Sequence, residues 1–192
     1  MFQPAVKLAF VQRYCNPAAG WTVFVDIDPS EEGRTGGARK SADSEARRFA
    51  MEASAAAVRE TFSRLGVTVG GSRAGWASTV RMPVVDGDRD IVAYQPKARL
   101  MLVAEAEGVS SGQPETKIYK AAGQIVSAAS TPTPPGWQRY LALAVHGAGL
   151  ARHLERVRAL SQLGVSAVVI APDPGADTWV FGDPPPTVVD GA

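Results

Sequence analysis

The chain has 192 residues, a formal charge of +1, 45% hydrophobic residues and 20% charged residues. That length suits one domain with short additions, and the composition argues against wholesale disorder. No apolar run is long enough to span a membrane, the single Cys15 excludes an internal disulfide or a structural zinc site, and the near-zero charge gives no bulk pull toward nucleic acid.

The first residues, MFQPAVKLAFVQRYCNP, lack the basic, apolar and cleavage segments of a signal peptide, so a reducing cytoplasm is the expected location. Residues 5–14 are mixed apolar and 21–27 are β-branched and aromatic. They predict two strands joined by the turn Asn16-Pro17-Ala18-Ala19-Gly20, an N-terminal β-hairpin. A polar loop, 29–42, precedes a long helix over 43–65, capped by Ser41 or Asp43 and stopped by Gly66. Ala46, Phe49, Ala50, Ala53, Ala57 and Leu65 form its expected buried stripe. Strands are predicted at 76–82, 90–94 and 99–107, followed by a loop and a helix over 115–129 that the TPTPPG run of 131–136 ends. A strand (140–145), a helix (149–163, stopped by Gly164), a strand (166–171) and a short strand (177–181) complete the order. Hairpin-linked strands followed by crossover helices imply an α/β fold, a mixed central sheet flanked by helices. The expected organisation is a single domain over 1–182 (strands in 1–28, loop 29–42, core 43–182), with 183–192 a Pro-rich tail.

The hairpin over 90–107 carries the chemistry. Pairing Tyr94 with Arg99 across Gln95-Pro96-Lys97-Ala98 sets Asp90 opposite Val103. Cross-strand partners share a face and side chains alternate, so Asp90, Glu105 and Glu107 are expected on one side of the sheet. Leu100–Ala104 is apolar on both faces, as a doubly covered central strand requires, and ionised carboxylates at its end need a partner. A divalent cation is the simplest one. Mg²⁺ (or Mn²⁺) takes one or two carboxylates, and Glu105 and Glu107 have Cα atoms roughly 6.6 Å apart at about 3.3 Å per residue. On the following helix, Lys120 and Gln124 are i, i+4 neighbours and Lys117 stands a turn away. This row flanks the apolar stripe of Ile118, Ala122, Ile125 and Ala129, where a cation could stabilise a phosphoryl transition state.

In these residues the segment resembles the PD-(D/E)XK, or restriction endonuclease-like, nuclease superfamily. Arg89-Asp90-Ile91-Val92-Ala93 matches its "PD" strand with arginine for proline. Glu105-Ala106-Glu107-Gly108 matches "ExK-Gly" with glutamate for lysine, and Lys120-Ala121-Ala122-Gly123-Gln124 matches the helix that follows. The resemblance spans about 43–170, with its specific part over 90–124. It implies an αβββαβαβ core, Mg²⁺- or Mn²⁺-dependent hydrolysis of DNA phosphodiesters, and DNA and a second copy of the chain as partners. Asp90, Glu105 and Glu107 would be metal ligands, and Glu107, Lys120 and Gln124 would complete the catalytic set. Lys117 or Lys120 could replace the absent motif lysine, and Glu45 or Glu52 could supply the family's first-helix glutamate. The departure at Glu107 equally fits a catalytically inactive module that binds nucleic acid or a protein.

Other features compete with this reading. Asp26 and Asp28, two apart at the end of an apolar strand, could hold Mg²⁺ in a phosphotransferase, but no accompanying Ser/Thr–Lys–Asp-Asp set follows. His146 and His153 are seven apart and do not form a metal pair; a structural role is expected of His146. Cys15 lacks an activating neighbour, and Gly147-Ala148-Gly149 lacks the third glycine of a dinucleotide loop. Arg152, Arg156 and Arg158 read as a solvated face, whereas Arg34, Arg39, Lys40, Arg47 and Arg48 form the richer basic stretch for DNA.

Overall fold

The computed structural model describes residues 1–28, 42–85, 87–109 and 113–186. Its first element is a helix, α1 (Gln3–Tyr14), not the expected strand. Pro4 sits in the first turn, where its missing N–H costs nothing, and Val6, Ala9, Phe10 and Val11 are buried. The N-terminal β-hairpin is therefore replaced by a helix, a short 3₁₀ turn over Pro17–Ala19, and strand β1 (Thr22–Val25).

The long helix α2 (Ala42–Leu65) ends as expected at Gly66, which takes φ 75° while Val67 N–H closes on the Phe62 carbonyl at 3.0 Å. Its buried face differs from the predicted stripe: Ala55, Val58 and Phe62 are buried, and Phe49 is 60% exposed. The predicted loop and cap residues over 29–41 lie outside the described residues, as does the tail from 187.

Strand β2 (Thr68–Val69) precedes a second departure. Helix α3 (Arg73–Thr79) stands where a strand over 76–82 was expected. Ser72 caps it, accepting from Gly75 N–H at 3.0 Å, and Trp76 and Ala77 supply its buried side. Trp76 stacks on Tyr94 at 5.5 Å and tilts against Phe24 at 5.4 Å, anchoring the short helix to the sheet.

The remaining elements follow the predicted order: β3 (Ile91–Gln95), β4 (Leu100–Glu107), α4 (Pro114–Ala129), β5 (Gln138–Val145), α5 (Ala148–Leu154), β6 (Val165–Val169) and β7 (Thr178–Phe181). The predicted helix over 149–163 is split, because α5 gives way to a 3₁₀ stretch over Glu155–Leu163.

Among the described residues, seven strands form one mixed sheet in the order β2-β1-β3-β4-β5-β6-β7. β1, β3 and β4 run as an antiparallel meander, and β4, β5 and β6 are parallel through crossover helices. Alternate residues feed two cores. On one face α1 and α2 pack through Val6, Phe10, Val58 and Phe62 onto Ile91, Ala93, Leu102 and Ala104. On the other, α3, α4 and α5 pack through Trp76, Ile118, Ile125 and Leu154 onto Val92, Met101, Val103 and Leu143. Every residue of β4 is buried, as its two-sided apolar pattern predicts. No described helix is long and apolar enough to cross a membrane.

Candidate active site

The acidic residues gather at one sheet margin, where β1 and β4 end and β3 begins. Extending the observed ladders by one step sets Asp26 beside Asp90 and Asp90 opposite Glu105; the Asp26 N–H donates to the Asp90 carbonyl at 2.9 Å. The result is a row of three carboxylates on three adjacent strands. Directly opposed residues of antiparallel strands have Cα atoms about 4.5–5.5 Å apart.

The register differs from the sequence expectation. Tyr94 faces Met101, not Arg99, and Val103 faces Val92, not Asp90. Gln95 belongs to the strand because its side chain builds the turn: Oε1 accepts from the Lys97 N–H at 2.9 Å and the Ala98 N–H at 3.4 Å, while Arg99 closes the turn at φ 52°. The shift is by two residues, and an even shift keeps every side chain on its expected face of the ladder.

Asp90, Glu105 and Glu107 each face a cation from the chain itself. Lys7, on α1, has no solvent exposure; its Nζ lies 2.7 Å from Asp90 Oδ1 and donates to the Asp26 carbonyl at 2.6 Å. Asp90 Oδ2 accepts from the Ala106 N–H at 2.7 Å and from Gln3 at 3.5 Å, so helix α1 and strand β4 together fix this carboxylate. Lys117, on α4, lies 2.7 Å from Glu107 and also donates to the Gly108 carbonyl at 3.2 Å. Arg89 is the looser partner. Its Nη1 is 3.9 Å from Glu105 Oε1, outside hydrogen-bond range, and this buried oxygen accepts no hydrogen bond.

The electrostatics follow from this packing. Glu105 is 2% exposed; burial first, then the charge of Asp90, push its carboxyl up to about 9 against the opposing Arg89 and Lys7. Burial also raises Glu107, opposed by Lys117, and raises Asp26, opposed by Lys7. Gly108 ends β4 under a steric requirement. A Cβ there would lie 2.5 Å from the Gln3 nitrogen and 2.6 Å from the Phe2 carbonyl carbon, and the Val109 N–H donates to the Met1 carbonyl at 2.9 Å. The first three residues of the chain are thereby clamped against the end of β4.

Among the described residues, no group of three or more His, Cys, Asp or Glu side chains gathers closely enough to hold a metal ion. The expected triad of Asp90, Glu105 and Glu107 is thus not gathered around one ion: Asp90 is engaged by Lys7 and Glu107 by Lys117, each at 2.7 Å, while Glu105 faces Asp90 across the ladder. Mg²⁺ commonly takes one or two carboxylates, and Glu105 Oε1 is a buried acceptor without a hydrogen-bond partner. Lys120 is exposed, and Gln124 donates to the Asp88 carbonyl at 3.4 Å. On α2, Glu45 is exposed and Glu52 pairs with Arg48 at 3.7 Å.

Elsewhere, His146 bonds through Nδ1 to the Ile170 carbonyl at 2.8 Å, and His153 is a buried residue of α5. Cys15 is fully buried, which pushes its thiol up and away from nucleophilic use. Arg156 and Arg158 make exposed ion pairs with Glu115 and Glu155, as a solvated face does. Of the basic stretch, Arg34, Arg39 and Lys40 lie outside the described residues.

Sequence reasoning missed Lys7, Arg89 and the adjacency of Asp26 to Asp90. A lysine inside the apolar run AVKLAFV was the available signal for the first. Compared with known proteins, the chain matches no family model, no curated protein and no solved structure.

Proposed function

We propose that this chain is a metal-dependent, endonuclease-like hydrolase of DNA phosphodiesters, built on a restriction endonuclease-like core. The observation that supports it is the facing pair Asp90 and Glu105 at the end of the antiparallel meander, with Glu105 Oε1 buried and unpartnered. Asp90 and Glu105 would hold Mg²⁺ or Mn²⁺, which when bound supplies Lewis-acid polarisation of a phosphoryl oxygen and an activated water. The chain's own residues do the rest. Ala106 N–H and Lys7 orient Asp90, the Lys117–Glu107 pair places a cation and a base beside the site, and Gln124 ties α4 to the loop before β3.

Nicking of supercoiled plasmid and branched DNA with Mg²⁺ or Mn²⁺ tests this. Wild type is expected to nick, with Glu105→Ala and Asp90→Asn reduced at least a hundredfold. Equal residual activity in all three proteins removes the catalytic reading.

A second reading rests on one specific observation: Lys7, Arg89 and Lys117 already stand against Asp90, Glu105 and Glu107. On that reading the fold is an inert module that binds nucleic acid or a protein. Calorimetric titration with Mn²⁺ separates the two. The hydrolase binds it in a Glu105-dependent manner and more tightly from pH 6 to pH 8, because the cation must displace the Glu105 proton; the inert module shows no such site.

A further inference from the structure

At the carboxyl ends of the parallel strands β4 and β5, between the segments that lead into α4 and α5, lies a cavity of about 130 Å³. Val109, Pro114, Lys117, His146, Gly147 and Leu150 are among the residues that line it. Crevices at this end of the parallel strands are where α/β sheets bind small ligands. A cavity of about 150 Å³ takes one benzene ring, so this one suits a single six-membered ring and not a fused pair. Val109, Pro114 and Leu150 give it apolar walls. Gly147 stands across from Val109 at φ 104°, a conformation that residues with side chains rarely adopt, so the wall there is bare backbone.

Two polar side chains line the cavity, and each holds a hydrogen-bonding group in reserve. His146 is half-buried and continues the β5 ladder, its N–H donating to the Glu107 carbonyl at 3.0 Å. Its Nδ1 lies 2.8 Å from the Ile170 carbonyl. A carbonyl only accepts, so Nδ1 carries the hydrogen of the neutral ring and Nε2 is left as an acceptor. The two nitrogens point to opposite sides of an imidazole. With Nδ1 directed to Ile170, just past β6, Nε2 is turned toward β4, the strand on the other side of β5, where Val109 and Lys117 line the cavity. Among the described residues Nε2 has no partner, and it is not one of the atoms shut from solvent. Lys117 gives two of its three N–H donors to Glu107 and the Gly108 carbonyl, and the third meets no partner among the described residues. Glu107 already balances the charge of Lys117, so the cavity calls for a neutral ring that both donates and accepts.

A cyclic imide, with its N–H between carbonyls, is a one-ring group of that kind, and in nucleic acid it is the pairing edge of thymine or uracil. Cytosine carries an acceptor at the same ring position and would meet His146 lone pair to lone pair. We propose that this cavity is a pocket for the imide edge of an unpaired thymine or uracil, its ring N–H donating to His146 Nε2 and a ring carbonyl accepting from Lys117. A base splayed out of a strand is read in this way, by its pairing edge between apolar walls. Lys117 links the pocket to the acidic row through Glu107, 2.7 Å from its Nζ. Placing the ring in a nucleic-acid strand rests on the hydrolase reading; the imide chemistry does not.

The test uses the whole chain in EDTA, so a protein that never nicks DNA still passes or fails it. Thermal melting is measured with millimolar thymidine, 3-methylthymidine or deoxycytidine, and fluorescence anisotropy with labelled oligothymidylate and oligocytidylate of equal length. The proteins are wild type, His146→Ala, Val109→Trp and the remote control Arg64→Gln. Val109 is 46% exposed, so a larger ring there fills the cavity from its open side and leaves the core alone. Wild type and Arg64→Gln are expected to melt higher with thymidine only, and to bind oligothymidylate about tenfold or more tighter than oligocytidylate. His146→Ala and Val109→Trp should lose both the shift and the preference. Should His146→Ala fail to fold, the 3-methylthymidine comparison and Val109→Trp decide. No thymidine shift in wild type, an equal shift with 3-methylthymidine, or a shift unchanged in the variants overturns the pocket. A shift that needs the ring N–H and His146, with both oligonucleotides bound alike, overturns the strand assignment and leaves a site for a free cyclic imide.

Discussion

Replacing Glu105 by glutamine keeps the shape of the side chain and removes its titrating proton. In the folded chain that carboxyl is pushed up to about 9, against an ordinary 4.5, by burial and by Asp90. Between those two values the folded state retains a proton that the unfolded state releases. Stability therefore falls as pH rises through the window, at up to about 1.4 kcal/mol per pH unit, and by pH 7 the loss is about 3 kcal/mol. Below pH 4.5 both states are protonated and the penalty vanishes; above 9 it stops growing. Urea unfolding of wild type and Glu105→Gln at pH 5, 6, 7 and 8, at fixed ionic strength without divalent metal, reads the difference directly. The variant should lie within about 1 kcal/mol of wild type at pH 5 and exceed it by about 3 kcal/mol at pH 7. Other acids cancel in the comparison because both proteins carry them. A difference that does not change with pH, or a variant that loses ground as pH rises, would show that Arg89 holds Glu105 ionised across 3.9 Å and that burial is not the dominant effect.

Two further outcomes follow from the same packing. Lys7→Met leaves the Asp90 carboxylate without the ammonium 2.7 Å away, and should cost about 3–5 kcal/mol at pH 7; adding Asp90→Asn should recover much of that, read as coupling in a double-mutant cycle by urea midpoints. Trp76→Ala removes the ring stacked between Phe24 and Tyr94, and should cost about 3–5 kcal/mol and erase much of the near-ultraviolet circular dichroism, whereas a strand at 76–82 with the tryptophan outward would lose under 1 kcal/mol.

The sheet's central half was legible because its residues obey simple periodicities. β4 is apolar on both faces, α4 has a clear buried stripe in Ile118, Ala122 and Ile125, and Gly66 and Gly164 stop what precedes them. The first helix was not legible, for a reason tied to the site. Lys7 is buried among Val6, Phe10 and Val11, and a charged residue on the buried side of a helix blurs the pattern that would announce it. Helix α3 was too short to establish a period, and its Trp76 and Val80 imitate strand composition. At the site, parity along the strands put Asp90 and Glu105 on one face although the register was displaced by two residues. Their partners could not be read from the same stretch, because Lys7 and Asp26 arrive from elements more than sixty residues away in sequence, and only the tertiary fold brings them together.

The clamp at Gly108 has a practical consequence for anyone handling this protein. With the Met1 carbonyl bonded to Val109 and the Phe2–Gln3 backbone lying against the end of β4, anything fused ahead of Met1 emerges beside Glu107 and Asp90. A leading affinity tag would crowd this sheet margin, and a histidine tag would bring its own metal-binding imidazoles there. Purification handles therefore belong at the other terminus, and an assay on a protein tagged at the front would report on the tag as much as on the acidic row.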